Sequence, residues 1–163
     1  MKLGNSIAGK ILAEKELLQK VNVWRLLSKT IVFSNGCFDI LHAGHIASLS
    51  EAAQHGDILI VGVNADDSVK KIKGNNRPVN GEDSRSLLLA SLAMVDAVFV
   101  FAEDTPLEII KKIQPDVLVK GGDYSIDQVA GAKEVIARGG KVIINPIVDG
   151  FSTTSIIQKI KNI

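Results

Sequence analysis

Short apolar runs that alternate with amphipathic stretches constrain the fold of this chain more than any other feature of its sequence. The runs are "TIVFSN" at 30–35, "DILIVGVN" at 57–64, "AVFVF" at 97–101, "DVLVK" at 116–120 and "KVIIN" at 141–145. Strands that are apolar on both faces and joined by helices are typical of parallel sheets covered on both sides. With right-handed crossovers, this pattern predicts an α/β fold with a Rossmann-like, doubly wound parallel sheet.

The stretches around these runs predict the helices. Apolar residues at helical spacing predict segments at 7–27, 44–55, from Asp66 onward, 82–94, 105–113 and 126–138. We expect Asp104 or Thr105 to cap the helix that carries Pro106 in its first turn. Gly139-Gly140 is expected to end the last of these helices.

Length and composition exclude several classes of protein. A chain of 163 residues suits one domain, which we place at 29–163 after an N-terminal helical extension at 1–28. The formal net charge of +1 and the aromatic content of 4% argue against a nucleic-acid partner. Cys37 is the only cysteine, so an internal disulfide framework is excluded. Because the N-terminus lacks a long apolar stretch, we expect a cytoplasmic protein that does not bind membranes.

Polar or glycine-containing stretches follow four of the predicted strands. They are "NGCFDILHAGH" at 35–45, "NADDSVKKIKGNNRP" at 64–78, "KGGDY" at 120–124 and "DGFSTTS" at 149–155. Sheets of this class bind ligands at the carboxyl ends of their strands, beside the point where the strand order reverses. These four stretches are therefore the candidate site.

The first stretch combines a small loop with two histidines. Asn35-Gly36 follows the opening strand directly, and Gly36 can take a positive φ that lets main-chain amides approach a ligand. His42 and His45 lie three positions apart at a predicted helix start, so they share one face, and Gly44 between them leaves room for a phosphate. Two imidazole donors beside a helix N-terminus favour a site for nucleotide phosphates, with hydrogen bonds that strengthen as charge builds during displacement.

Other interpretations of the same stretch remain open. The histidine pair could be incidental, or it could form a zinc site with Cys37, although His55 lies about three turns further on and is too distant to serve as a fourth ligand. Cys37 itself is typical of a small buried residue more than of a nucleophile. Asp39 could cap the helix, orient a side chain or approach a metal, and we favour the cap.

The lysines in the second and third stretches are of two kinds. Lys70 and Lys71 fit a solvated helix face. Lys73 precedes Gly74 in a predicted loop, where a flexible ammonium can reach a phosphate. Lys120 ends a buried strand, a costly position for an ammonium without an anion, so we expect it to face the cleft. The two glycines that follow it could alternatively serve only as a turn.

The fourth stretch, "STTS" at 152–155, precedes the apolar-periodic segment "IIQKIKNI". This arrangement predicts a helix cap. Hydroxyls and free amides at a helix N-terminus also make an anion site, so capping and phosphate binding are compatible here.

Quoted together, these stretches resemble a known family. "NGCFDILHAGH" resembles the signature of the nucleotidyltransferase superfamily that carries the HxGH motif. "VGVNADDSVKKIKGNNRPV", "EDTPLEIIKKIQPDVLVKGGDY" and "GFSTTSII" resemble, in order and spacing, the adenylyltransferase domain of the bacterial ADP-heptose synthases. The likeness covers about residues 30–160 and implies a nucleotidyltransferase-type fold for the domain at 29–163.

The resemblance implies a reaction. It is the transfer of AMP from ATP to D-glycero-β-D-manno-heptose 1-phosphate, in which the sugar phosphate attacks the α-phosphorus directly, pyrophosphate leaves and Mg²⁺ accompanies the nucleotide. The product would enter lipopolysaccharide core or other surface glycans. Two alternatives stay open: the same chemistry on other substrates, such as a cytidylyltransferase acting on glycerol 3-phosphate, and a non-catalytic nucleotide-binding module.

The resemblance also implies partners. They are ATP and a sugar 1-phosphate, and a separate sugar kinase of the same pathway, because only a short helix precedes the domain here. The leading helix with Trp24 offers a contact for a homo-oligomer.

The resemblance finally implies roles for individual residues. His42, His45 and Lys73 would be catalytic. The nucleotide-binding positions would be Asn35, Gly36, Cys37, Phe38, Asp39, Gly44, Arg85, Ser152, Thr153 and Thr154. The sugar-phosphate positions would be Arg77, Lys120, Gly121 and Asp123. Within these sets, Arg85 would contact the β- or γ-phosphate and Asp123 would accept hydrogen bonds from hydroxyls, and no residue is implied as a metal ligand.

Overall fold

A single parallel sheet organises the computed structural model, which describes residues 7–146 and 150–163. Its strands are β1 Ile31–Gly36, β2 Ile58–Asn64, β3 Ala97–Phe101, β4 Val117–Gly121 and β5 Lys141–Asn145. They lie in the order β3-β2-β1-β4-β5, and every neighbouring pair is parallel. The chain thus builds one half of the sheet outward from β1 and then returns to build the other half beside it.

Helices cover both faces of the sheet. They are α1 Glu14–Leu26, α2 Ala43–Ala53, α3 Asp66–Lys73, α4 Glu82–Ala90, α5 Leu107–Ile113, α6 Ala132–Ala137 and α7 Thr153–Lys161, with a 3₁₀ turn at Ile126–Gln128. One apolar core lies between the sheet and α1, α5 and α6, and a second lies between the sheet and α2 and α4. The predicted doubly wound, Rossmann-like parallel sheet is confirmed.

The N-terminal segment differs from the predicted helix at 7–27. Ile11 forms a parallel bridge to Val98, and the amide of Leu12 donates to the carbonyl of Val98 over 2.9 Å. β3 is an edge strand, and its main-chain groups require partners that the incoming segment supplies. α1 therefore begins only at Glu14.

The helix α1 itself belongs to the core of the domain. Leu17 and Val21 on α1 are 0% and 2% exposed, and Trp24 packs against the same cluster. Residues 1–6 of the predicted extension lie outside the described residues. Among the residues that the structure does describe, no helix combines the length and apolar character needed to cross a bilayer.

Two further helix predictions need correction. The segment at 126–138 is divided by Gly131, which has φ +85° and comes so close to Ile110 that a Cβ would lie 2.8 Å from its side chain. Neither Asp104 nor Thr105 caps α5, because Pro106 occupies the N-cap position without a side-chain bond. The expected stop at Gly139-Gly140 is confirmed, with Gly139 at φ +83° after α6.

Carboxylates collect at the amino ends of the strands. Asp57 accepts a hydrogen bond from the amide of Thr30, Asp96 from that of Leu59 and Asp116 from that of Ile31, each over 2.8 Å. These three residues immediately precede β2, β3 and β4 and satisfy amides on the neighbouring chain segments. Negative charge is thereby placed at the edge of the sheet opposite the carboxyl ends of the strands.

Candidate active site

A cavity of about 590 Å³ opens at the carboxyl ends of β1 and β4. These two strands are neighbours in the sheet but are separated in the chain by β2 and β3, so the strand order reverses between them. Such a switch point is where open α/β sheets bind their ligands. Residues from all four of the predicted stretches line this cavity.

His42 and His45 form a stacked pair in the cavity wall. His42 is the N-cap of α2, and its ring lies face to face with that of His45, with centroids 3.7 Å apart and planes 17° from parallel. The Nδ1 atoms of both rings are buried and have no hydrogen-bond partner among the described residues. Because these buried atoms are closed to a dissolved ligand, the ring nitrogen left to bind one in each histidine is Nε2.

Burial keeps both rings uncharged. It lowers the pKa of His42 and lowers that of His45 to about 4, with the nearby His42 as a second cause for His45. At neutral pH each imidazole therefore offers one N–H donor and one acceptor nitrogen. An anion in contact with the pair would favour the protonated form and raise these pKa values.

The loop that precedes the pair has an unusual backbone. Phe38 adopts φ +49°, and its ring packs edge-on against His45 with centroids 5.3 Å apart. The expected positive φ at Gly36 is wrong. Phe38 adopts the positive φ instead. Gly36 is needed for space, since a Cβ there would lie 3.2 Å from the ring of Phe38.

Gly44 has a similar spatial role on the other side of the pair. A Cβ at Gly44 would lie 3.1 Å from Nδ1 of His42 and 3.1 Å from Cβ of Phe151. The ring of Phe151 lies nearly parallel to that of His42, with centroids 6.5 Å apart. Gly44 thus lets the segment before α7 close against α2, a contact that the sequence pattern did not indicate.

Asp39 does not cap α2, so the favoured interpretation of this residue is wrong. Its carboxylate is 1% exposed and accepts from Nε of Arg77 over 2.5 Å. It also accepts from the amides of Val79 and Asn80 over 2.7 and 2.9 Å. Asp39 therefore ties the β1–α2 loop to the loop between α3 and α4, and Arg77 reaches the cavity wall already paired.

Arg85 lies away from the cavity lining and is fully buried, with 0% exposure. Its Nε donates to the carbonyl of Asn80 over 2.9 Å, its Nη1 to that of Cys37 over 2.6 Å and its Nη2 to the carboxylate of Asp66 over 2.7 Å. The expected phosphate contact of Arg85 stays a prediction that this structure does not favour, because "EDSR" places this side chain on the face of α4 that packs into the protein. Solvent, and hence a dissolved ligand, does not reach the guanidinium in this structure.

Two lysines supply positive charge to the cavity. Lys120 is largely buried, donates to the main-chain carbonyl of Asn35 over 3.2 Å and lies 5.6 Å from the centroid of the Tyr124 ring. Burial lowers its pKa, and Lys73 lowers it further. Lys73 is an exposed residue at the end of α3 that also lines the cavity. Neither lysine forms an ion pair with a carboxylate of the described residues.

The other lysines of α3 are paired on the surface. Lys70 bonds Asp67 over 2.9 Å, and Lys71 bonds Asp104 over 3.1 Å. These contacts agree with the expected solvated helix face.

A second helix N-terminus meets the cavity. Ser152 is the N-cap of α7, and its Oγ accepts from the amide of Ser155 over 3.0 Å, so the predicted cap is confirmed. Ser152, Thr153 and Thr154 all line the cavity. Since the N-terminus of α2 lies in the same wall, two helix dipoles place partial positive charge on one space.

The remaining predicted site residues divide between the cavity and the surface. Cys37 lines the cavity, and burial raises the pKa of its thiol although cations surround it. Gly121 also lines the cavity, where a Cβ would lie 2.9 Å from Oγ of Ser48. Asp123 is exposed and is not part of the lining, so the structure does not bring it to the other site residues.

Several lining residues were missed by the sequence reasoning. They include Ser48 and Gln128, which lie outside the four predicted stretches. Asn64, Tyr124 and Phe151 lie within those stretches but were not singled out. Ser48 could have been found, because it follows His45 by three positions on the same helix face. Asn64 could have been found as a polar residue that ends a buried strand. Gln128 has no such local signal.

A switch-point cavity that joins two helix N-termini, two imidazoles and two lysines is typical of Rossmann-like proteins that bind nucleotides. Comparison with known proteins makes this class more specific. The chain belongs to the family described as Cytidylyltransferase-like, whose model matches residues 33–159.

Curated relatives cover nearly all of this chain. A protein named "Bifunctional protein HldE" from Koribacter versatilis is 53% identical over 150 residues, which is 92% of this chain and 31% of the relative. The protein of the same name from Shewanella sediminis is 55% identical over 148 residues, which is 91% of this chain and 31% of the relative. The chain thus spans about a third of the length of the curated relatives it matches.

Solved structures agree with the fold. A lipopolysaccharide core biosynthesis protein from Thermoplasma volcanium superposes with a TM-score of 0.59 at 30% identity, covering 74% of this chain and 97% of that one. A pantoate-beta-alanine ligase from Francisella tularensis superposes with a TM-score of 0.61 at 17% identity, covering 94% of this chain and 78% of that one. The second likeness shows the fold alone.

The low pKa of His45 predicts that stability depends on pH. Between pH 6.5 and about 4, the unfolded chain binds a proton at this residue that the folded protein does not bind. The free energy of unfolding should therefore fall as the pH is lowered through this range. Urea denaturation at a series of pH values measures the effect, and His45→Gln should reduce the slope. Equal slopes in the wild type and His45→Gln would contradict the prediction.

Proposed function

We propose that this chain transfers AMP from ATP to D-glycero-β-D-manno-heptose 1-phosphate and releases ADP-heptose and pyrophosphate. The observation that carries the proposal is the stacked pair of His42 and His45, which lines the cavity at the start of a helix. Similarity to proteins named bifunctional HldE and to a lipopolysaccharide core biosynthesis protein supports the choice of acceptor. Because ATP is the donor, we assign the reaction to the cytoplasm.

The proposed step needs no covalent enzyme intermediate. An oxygen of the sugar 1-phosphate forms a bond to the α-phosphorus while the bond from that phosphorus to the bridging oxygen breaks, and the electron pair leaves with pyrophosphate. Negative charge builds on the non-bridging oxygens and on the leaving group. Catalysis then consists of positioning and of donors aimed at that charge, as in other phosphoryl transfers.

The imidazoles of His42 and His45 are assigned to the α- and β-phosphates. Because both rings are neutral in the free protein, they bind the ground state as ordinary donors. As charge grows on the phosphoryl oxygens, those hydrogen bonds become stronger, which is the differential binding that catalysis requires. The stacked geometry holds both rings in place before the substrate arrives, so little reorganisation is needed.

Two lysines and the N-terminus of α7 are assigned to the other phosphates of the substrates. Lys73 is exposed on a flexible stem at the end of α3 and is assigned to the outer phosphates of the nucleotide. Lys120 is held by the carbonyl of Asn35 beside Tyr124 and is assigned to the phosphate of the acceptor. The amides and hydroxyls at the start of α7, from Ser152 to Thr154, are assigned to the leaving pyrophosphate.

Mg²⁺ fits this site only as an ion carried by the triphosphate. Within the described residues, no group of three or more histidine, cysteine, aspartate or glutamate side chains could hold a metal. The two carboxylates of the lining are already paired, Asp39 with Arg77 and Asp104 with Lys71. Mg²⁺ commonly keeps several waters and binds through substrate phosphates, where it neutralises charge on the triphosphate.

The substrates can be identified by a screen for pyrophosphate release. The protein would be incubated with ATP or CTP and, in turn, heptose 1-phosphate and glycerol 3-phosphate in the presence of Mg²⁺. We expect turnover with ATP and heptose 1-phosphate. Turnover only with CTP and glycerol 3-phosphate would contradict the proposal, and would favour the alternative that the name of the matched family suggests. No turnover with any pair would favour a non-catalytic nucleotide-binding module.

Replacing either stacked histidine should reduce the rate and leave the fold intact. We expect His42→Ala and His45→Ala to lower kcat by about 10² to 10³, the scale of losing one donor to the transition state. His55→Ala is the matched control, because this third histidine lies outside the cavity lining. Steady-state kinetics and circular dichroism on the three variants test the assignment. Wild-type kcat in His42→Ala or His45→Ala would refute it.

A further inference from the structure

The buried guanidinium of Arg85 holds three separate segments of the chain. It bonds Cys37 in the β1–α2 loop, Asn80 in the α3–α4 loop and Asp66 at the start of α3. Burying a cation is costly unless it is paired, and a single carboxylate would suffice for that pairing. Asp66 already neutralises the guanidinium, so the two bonds to main-chain carbonyls are not needed for charge balance. The bond to Cys37 is the shortest of the three at 2.6 Å.

The carbonyl that Arg85 binds belongs to the peptide group between Cys37 and Phe38. Phe38 adopts φ +49°, which is uncommon for a residue with a large side chain. Such a conformation persists only when surrounding contacts determine it. Since the orientation of this peptide group is coupled to the φ of Phe38, the bond from Arg85 is one of those contacts.

The ring of Phe38 transmits this constraint to the histidines. It is 9% exposed, fills the space left by Gly36 and meets the ring of His45 edge-on. The ring of His45 in turn stacks on that of His42. A continuous series of contacts therefore runs from the guanidinium through one peptide group and one aromatic ring to the imidazole pair.

We propose that Arg85 is a positioning residue that sets the place of the imidazole pair by holding the carbonyl of Cys37 and, through it, the left-handed conformation of Phe38. It acts without touching the substrate. The effect on turnover rests on the function proposed above, whereas the effect on the ring of His45 is a property of the free protein.

Arg85→Lys tests the proposal, because a lysine keeps the charge but has one donor nitrogen in place of the three that reach Asn80, Cys37 and Asp66. The pKa of His45, measured by NMR on the ring protons of the free protein, should rise from about 4 toward its ordinary value of 6.5. In the same variant kcat should fall by about 10-fold to 100-fold, as expected for a small displacement of catalytic groups.

Arg25→Lys is the matched control. The guanidinium of Arg25 also bonds main-chain carbonyls, those of Ile113 and Gln114, but it lies on α1 and outside the cavity lining. This variant should lose some stability without changing kcat or the pKa of His45. If Arg85→Lys behaves in the same way, with lower stability but unchanged kcat and pKa, the role of Arg85 is only structural and the proposal is overturned.

Phe38→Leu provides a second test that does not depend on whether Arg85→Lys folds. With Arg85 intact, loss of the aromatic ring should still expose His45 and raise its pKa. An unchanged pKa in Phe38→Leu would overturn the proposal. If the wild type transfers no AMP to any acceptor, the function proposed above fails, but the NMR measurement still decides whether Arg85 positions His45.

Discussion

Two uncharged imidazole rings in face-to-face contact set the chemistry of this site. At 3.7 Å between centroids, two protonated rings would repel each other strongly, and burial of His45 adds to that cost. The pair is therefore stable as neutral donors and becomes more basic only when an anion arrives. Positive potential comes instead from Lys73, Lys120 and the N-termini of α2 and α7, which reach the same cavity without charging the rings.

The fold separates charge along the strands. Aspartates at the amino ends of β2, β3 and β4 are occupied by main-chain amides, whereas the lysines and helix N-termini meet at the carboxyl ends. Also at the carboxyl ends, Asp39 neutralises Arg77 and Asp66 neutralises Arg85. The cavity is therefore locally positive although the net charge of the chain is only +1. A triphosphate and a sugar phosphate bound side by side require such an environment.

The strands and the location of the site are predictable from the sequence, because buried parallel strands are apolar on both faces and their carboxyl ends meet at one edge. The roles of Asp39 and Arg85 are not predictable from local spacing. Asp39 bonds a loop 38 to 41 positions away, and Arg85 bonds a carbonyl 48 positions away. Such contacts depend on which face of α4 is buried and how two loops meet. The left-handed conformation of Phe38 is equally unpredictable, since Gly36, two positions earlier, is of the residue type that normally adopts positive φ.

The central claim is that His42 and His45 bind the phosphates of the nucleotide. A crystal structure with a non-hydrolysable ATP analogue and Mg²⁺ tests it most directly. The account predicts phosphate oxygens about 2.7 to 3.2 Å from a ring nitrogen of each histidine, with the triphosphate extending toward the N-terminus of α7. A triphosphate bound away from the carboxyl ends of β1 and β4, or histidine rings that make no contact with it, would contradict the account.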